Sequence, residues 1–326
     1  MPELVKLAFV SSAYNEAENL EELHRRCRDA HTVLQQEFAG KISLGFRFVV
    51  ADNGSSDRSM AVLENISRLD GSVVALVNKA NYGPEPSVAN ALAQALDCDL
   101  FVALCSDLQD PPELAVKMVA NLLARPDLDA VLAVKSRSSG NPLMRMARRS
   151  YYKVLSYSSR LQNVPVGFHG FGCYRREVVD EALRYWEHTD LNLRQCLINA
   201  SQSADRIAYQ QPDREHGSSS YRGWGYWPEA MRSLVSADAA ASRVALLIGG
   251  GGLVLVVVVG MLLLANFLRG TSGYSGGNPT VMGLVLLSFV VQMLMFTLLS
   301  RQIELLRMRG FRPKVHFRVL DQGSRM

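Results

Sequence analysis

Several features that would place a chain at once are missing. The five cysteines (Cys27, Cys98, Cys105, Cys173 and Cys196) are scattered, with no C-x-x-C pair. That argues against a zinc site or a disulfide scaffold and fits a reducing compartment. Neither sign of charge dominates: 35 Lys and Arg against 31 Asp and Glu leave +4. Charge alone therefore implies no nucleic-acid partner. No G-x-G-x-x-G follows the first apolar run and no Walker A lysine occurs, which weakens dinucleotide and P-loop readings. The opening MPELVKLAFV is too short an apolar run for a signal peptide and gives way at once to polar AYNEAEN.

Charge is also missing, locally, from two long stretches. VALLIGGGGLVLVVVVGMLLLANFL (244–268) carries none and is long enough to cross a bilayer; VMGLVLLSFVVQMLMFTLLS (281–300) is just long enough to cross back. A buried core helix of that length would show a polar stripe, and these show none. The segment after them, RQIELLRMRGFRPKVHFRV, is rich in Arg and Lys, whereas the loop between them holds only Arg269. The positive-inside rule then puts tail and N-terminal part together in the cytoplasm. The expected layout is a cytoplasmic domain over 1–223, an interfacial helix over 224–242, a two-helix transmembrane anchor over 243–300 and a basic cytoplasmic tail over 301–326. Gly249–Gly252 and Gly260 offer small faces for close packing and hence for a homo-oligomer, and Gln292 is a candidate interhelical hydrogen-bonder.

What the first part contains is alternation. LVKLAFV (4–10), FRFVVAD (46–52), SVVALVN (72–78), DLFVALCSD (99–107) and DAVLAVK (129–135) read as strands. Leu20, Leu23, Cys27, Ala30 and Leu34 lie on one helical face, and further helices are expected around 57–69, 85–97 and 111–124. Alternating strands and helices imply a mostly parallel α/β sheet covered on both faces. In such sheets ligands bind beyond the carboxyl ends of the strands.

On that edge fall Tyr14, Asn15 and Glu16 after the first strand, Asp52 closing the second and Asp107 closing the fourth. Each has a plainer reading. Asp57 in the turn Asn53-Gly54-Ser55-Ser56-Asp57 stands near a helix start. In LCSDLQDPPE (104–113) an aspartate before Pro111 and Pro112 suits a helix cap. With Asp107 given to a metal or phosphate, the cap passes to Asp110.

AYNEAENL, ADNGSSD, NYG and SDLQDPPE, in this order and at these separations, resemble the family 2 glycosyltransferases, and more narrowly those acting on polyprenyl phosphates. The similarity covers about the first 230 residues. It implies a GT-A-like domain that binds a nucleotide sugar, a polyprenyl phosphate acceptor, Mg²⁺ or Mn²⁺ as cofactor, and inversion at the sugar. Asp52 would read the base. Tyr14, Asn15, Glu16 and the Asn53, Gly54, Ser55 and Asp57 turn would line nucleotide and ribose, with Asn81, Gly83 and Ser106. Asp107 would hold the metal at the end of the D-x-D motif, with Gln109 close by. REHGSSSY (214–221) would meet the phosphates of donor and acceptor through Arg214, His216, Ser218, Ser219, Ser220 and Tyr221. Lys135 and Arg137 are placed with that phosphate-binding group, and Asp107 and Arg214 carry the catalytic assignment.

The sequence departs from the family pattern in four places. Ser12 replaces a proline, Pro84 a Lys or His, and Cys105 the first aspartate of D-x-D. VGFHGFGCYRR (166–176) stands where relatives have G-D-F-R, so an acid proposed there has no counterpart and no general base is assigned. In NPLMRMARRSYYKVLSYSSRLQ (141–162), Arg145, Arg149 and Lys153 recur at i, i+4, i+8, as in a basic amphipathic helix at a headgroup layer. Trp224, Tyr226 and Trp227 read as interfacial anchors or as core aromatics.

Overall fold

The computed structural model describes residues 3–136, 165, 167–189, 192–212 and 315–320, with scattered positions in 254–269 and 283–299. The expected alternation is present. β1 (Glu3–Ala13), α1 (Leu20–Glu37), β2 (Ile42–Asp52), α2 (Ser59–Leu69), β3 (Val73–Asn78), α3 (Pro84–Gln94), β4 (Leu100–Ala103), α4 (Leu114–Ala124) and β5 (Ala130–Lys135) follow in order. Then come β6 (Gly172–Arg175), α5 (Arg176–His188), α6 (Leu193–Ala200), β7 (Ala204–Tyr209) and β8 (Phe317–Val319).

These strands make one eight-stranded sheet, ordered β7-β5-β6-β4-β1-β2-β3-β8. β6 and β8 run antiparallel to their neighbours; the other pairings are parallel. Both faces are covered, as the unbroken apolar runs required. Leu7 and Phe9 of β1 pack with α1, α2 and α4, while Ala8 and Val10 of the same strand pack with α3, α5 and α6. α1 buries Leu20, Leu23, Cys27, Ala30 and Leu34, the face read from the sequence. Burying an aromatic such as Phe9 or Phe48 stabilises by about 1.5–3 kcal/mol each.

Two expectations need correction. The fourth strand ends at Ala103, not at residue 107. Leu104 N–H still reaches Val10 O, at 3.1 Å, but Cys105 N–H turns to the Asp110 carboxylate, at 3.0 Å, and leaves the ladder. Asp107 therefore lies in a turn beyond the strand, followed by Leu108 at φ 61°. The segment taken as a tail also contributes a strand. β8 pairs with β3 through Leu76–Val319, Val77–Arg318 and Asn78–Phe317, and Leu320 is buried in the core beneath.

The chain divides into two units: 1–149, 161–224 and 312–326 form one, 150–160 and 225–311 the other. In the second, the described positions of both apolar runs are helical, Arg269 just after the first is in a turn, and Val254, Met261, Val285, Phe289 and Met295 are exposed. Among the described residues no helix is long and apolar enough to cross a membrane. Among the described residues, Gln292 donates to Ser288 Oγ on its own helix at 3.5 Å, and a Cβ on Gly260 would meet nothing within 4 Å. The 141–162 segment, Gly249–Gly252, Trp224, Tyr226 and Trp227 lie outside the described residues.

Candidate functional site

Parallel pairing with β1 brings the carboxyl ends of β2 and β4 to one edge, where Ala13 stands opposite Asp52 and Val10 opposite Ala103. The loops leaving that edge are stitched to one another. Asn15 adopts φ 57°, a conformation its short amide tolerates. Its N–H donates to Ser55 Oγ (2.9 Å), and its Oδ1 accepts the N–H groups of Ser56 (2.9 Å) and Asp57 (3.3 Å). Glu16 N–H donates to Ser59 Oγ (2.9 Å) and Ala17 N–H to Asp57 Oδ2 (3.2 Å). Asp57 Oδ1 also accepts Ser59 N–H at 2.9 Å, one residue before the Arg58 N-cap of α2, so it stands near that helix start as the sequence suggested. Burial opposes ionisation of Asp57, but these bonds outweigh it and hold the carboxyl below its usual range.

The β2 and β3 loops are joined through asparagines. Asn53 Nδ2 donates to Asn81 Oδ1 (2.8 Å), Asn53 Oδ1 accepts Tyr82 N–H (2.9 Å), and Asn81 Oδ1 also accepts Gly83 N–H (2.9 Å). Gly54, at φ +70°, lies so near the Ala80–Asn81 backbone that a Cβ would stand 2.7 Å from Ala80 C. Gly83, at φ 91°, precedes Pro84 at the first position of α3. Proline without a free N–H suits that position. Tyr14 is exposed.

Asp52, closing β2 at this edge, is buried, 1 % exposed. Its Oδ2 accepts Ser55 N–H at 3.1 Å, while Oδ1 is buried with no protein partner. Such an orphaned acceptor costs about 1–3 kcal/mol, which a ligand N–H or hydroxyl would recover. Ser106 is buried and donates to Ser12 O at 2.9 Å, fastening the β4 loop to β1.

Asp110 does not cap α4, contrary to the sequence expectation: the N-cap is Glu113, without a side-chain cap bond. The Asp110 carboxylate is wholly buried and accepts Cys105 N–H (3.0 Å), His169 Nε2 (2.7 Å) and Tyr209 Oη (2.8 Å). Burial alone would raise its pKa; hydrogen bonding to His169 leads the effects that instead hold it below the usual range. Beside it, desolvation by surrounding protein and then the Asp110 and Asp107 carboxylates push the Cys105 thiol up, although the residue itself is exposed. Lys135 lies close enough to oppose that rise, and its N–H donates to Gly167 O at 3.2 Å. Asp107 Oδ1 accepts Gln109 N–H at 3.2 Å, a local turn bond.

The fold thus brings together Tyr14, Asn15, Glu16, Asp52, Asn53, Gly54, Ser55, Asp57, Asn81, Gly83, Ser106, Asp107 and Gln109 in four adjoining loops, with Lys135 nearby. Arg137, Arg214, His216, Ser218, Ser219, Ser220 and Tyr221 lie outside the described residues. Two residues of the site, His169 and Tyr209, had no role in the sequence reading. His169 falls in the stretch that departs from G-D-F-R, the one available signal; Tyr209 gave none.

The family model for glycosyl transferase family 2 matches residues 9–183. The chain belongs to that family. An undecaprenyl-phosphate 4-deoxy-4-formamido-L-arabinose transferase of Pseudomonas fluorescens is 28% identical over 221 residues, covering 66% of this chain and 60% of that protein. Its namesake in Sodalis glossinidius is 30% identical over 220 residues, covering 66% and 63%. The chain thus spans about three fifths of the length of these relatives. Among solved structures, mannosyl-3-phosphoglycerate synthase from Rubrobacter xylanophilus aligns with TM-score 0.44 and 16% identity, covering 73% of this chain and 74% of that one. The mixed α/β sheet found here is GT-A-like.

Proposed function

We propose that this family 2 chain is an inverting glycosyltransferase that moves a sugar from a nucleotide diphosphate sugar to the phosphate of a polyprenyl lipid, undecaprenyl phosphate in particular. The observation that carries the reading is the buried, unpartnered Oδ1 of Asp52 inside a ring of cross-bonded loops at the carboxyl edge. Curated relatives named as undecaprenyl-phosphate sugar transferases support the acceptor class.

The donor base lies against Asp52, whose carboxylate accepts an N–H from it; Asn15, Ser55 and Asp57 keep the neighbouring loops fixed for the ribose. A phosphate monoester has its second pKa near 6, so the acceptor is already largely dianionic at neutral pH and needs no strong base. Its oxygen attacks the anomeric carbon, the bond to the nucleoside diphosphate breaks, and the leaving diphosphate carries the charge away. Asp107 and Gln109 offer the oxygen donors that Mg²⁺ or Mn²⁺ takes together with substrate phosphates, with one carboxylate where the family motif has two. A cation there supplies charge neutralisation for the diphosphate. Lys135, with Arg137, Arg214, His216, Ser218, Ser219, Ser220 and Tyr221 from the sequence, serves the phosphates.

The membrane anchor belongs to the same proposal. Two uncharged stretches, 244–268 and 281–300, separate residues of one unit. Because β7 and β8 belong to the same sheet, any crossings between them are even in number, which supports two spans with domain and tail on one side of the bilayer; the Arg- and Lys-rich tail assigns that side to the cytoplasm. Exposed apolar residues such as Val254 and Phe289 fit lipid contact.

Asp107→Asn tests the site. Transfer to undecaprenyl phosphate is abolished while the unfolding transition is unchanged; full transfer in this variant would reduce Asp107 to a turn-forming residue.

A further inference from the structure

The loop after β4 also holds donors unlike those of an oxygen-only Mg²⁺ site. Cys105 Sγ, a carboxylate oxygen of Asp110 and a ring nitrogen of His169 lie within 4.8 Å of one another. Around a tetrahedral ion with bonds of about 2.0–2.3 Å, donor atoms stand roughly 3.3–3.7 Å apart, a spacing that small side-chain rotations reach. The three residues are held from both sides. Cys105 N–H and Asp110 Oδ2 latch the loop at 3.0 Å, and His169 enters from the segment before β6. Tyr209 Oη donates to Asp110 Oδ1 at 2.8 Å, the outer hydrogen bond that steadies a ligating carboxylate.

Two further features bear on loading. His169 faces Asp110 Oδ1 through Nε2, at 2.7 Å, so coordination would go through Nε2 and leave the ring proton on Nδ1, the nitrogen that has no hydrogen-bond partner. Cys105 is exposed, which gives an ion a way in and leaves a coordination position open to the crevice. We propose that Cys105, Asp110 and His169 form a resident cation site that takes a borderline divalent ion, Zn²⁺ ahead of Mg²⁺. Thiolate and imidazole select such ions over hard ones, and three protein ligands with one open position is the arrangement of reactive zinc centres. Binding exchanges the Cys105 thiol proton for the ion and releases it to solvent. The cysteine spacing argued against zinc because it shows only ligands near in sequence; here the ligands converge from positions 105, 110 and 169.

The ion would place positive charge at the crevice where the proposed function puts the leaving diphosphate. Only that placement rests on the proposed function, since the site needs no nucleotide to load. The test is therefore a binding one. Full chain purified in detergent is stripped with chelator and titrated with Co²⁺ in the absence of nucleotide. One Co²⁺ binds per chain with a thiolate-to-cobalt charge-transfer band, displaced by equimolar Zn²⁺ and not by a hundredfold excess of Mg²⁺. Cys105→Ser, which alters one exposed sulfur, removes the band. His169→Gln weakens binding at least tenfold, and Asp107→Asn leaves both signals in place. Absence of bound cobalt and zinc in the wild-type chain, or a band that survives Cys105→Ser, overturns the proposal and leaves Lys135 as the countercharge of this loop. Absence of transfer by the wild-type chain, with its band intact, would count against the proposed function alone.

Discussion

Replacing Gly54 by alanine sets a sharp test of the nucleotide loops. Its φ of +70° alone costs a residue with a Cβ about 1–2 kcal/mol. The added atom would stand 2.7 Å from Ala80 C and 3.0 Å from Asn81 N, against a comfortable separation of about 3.5–4.0 Å. Backbone must therefore move by roughly 1 Å, and the bonds that tie Asn53 to Asn81 and Tyr82 at 2.8 and 2.9 Å go with it. Two neutral hydrogen bonds add about 2 kcal/mol, for a total near 3–4 kcal/mol. Gly40→Ala is the control: φ is +79° and a Cβ meets nothing within 4 Å, so only the strain of about 1–2 kcal/mol applies. Denaturant midpoints read the stability difference, and calorimetry with a uridine or guanosine diphosphate reads the site. If nucleotide binding must restore the displaced loop, the excess of about 2 kcal/mol at Gly54 sets an upper bound of about 30-fold on the weakening of binding. Gly54→Ala no worse than Gly40→Ala in both measurements would refute the account of these loops.

Other outcomes follow from the scaffold. The Asp70 carboxylate faces Arg28, Ser72 and His24 at 2.5–2.9 Å, and their hydrogen bonds outweigh its burial to hold it far below the ordinary range. A depressed folded pKa contributes stability that is present above the unfolded value of about 3.9 and is lost as pH falls towards the folded one. Asp70→Asn therefore lowers stability at pH 7 by about 1.5–3 kcal/mol and flattens the decline below pH 4; parallel acid limbs in thermal unfolding would count against it. Deleting residues 315–326 removes β8 and leaves β3 as an open edge. Because Lys79 N–H donates to His316 O at 2.8 Å beside the Asn81 loop, the deletion weakens nucleotide binding as well as stability, and unchanged affinity would separate β8 from the site. Phe9→Ala, at the centre of the sheet, costs about 3–5 kcal/mol in chemical unfolding.

The parts legible in the sequence were those written in local pattern. The helical face Leu20–Leu34 and the apolar strands fixed the layers because period and burial are local consequences of the same side chains. Asp52 and the Asn53–Asp57 turn were legible because a strand end followed by a polar turn names its own edge. Asp110 misled, since an aspartate before two prolines looks like a cap; its partners His169 and Tyr209 stand 59 and 99 positions away. No period reports such a meeting. β8 was hidden for a related reason: three residues after a long apolar region carry too little pattern to announce an edge strand.

The most direct measurement is transfer itself. Membranes holding the full chain are incubated with undecaprenyl phosphate and a panel of radiolabelled nucleotide sugars, and the lipid fraction is counted. The account predicts that one donor labels the lipid phosphate in the wild type and none does in Asp107→Asn. Nucleotide binding by the wild-type chain with no labelled lipid from any donor would contradict it.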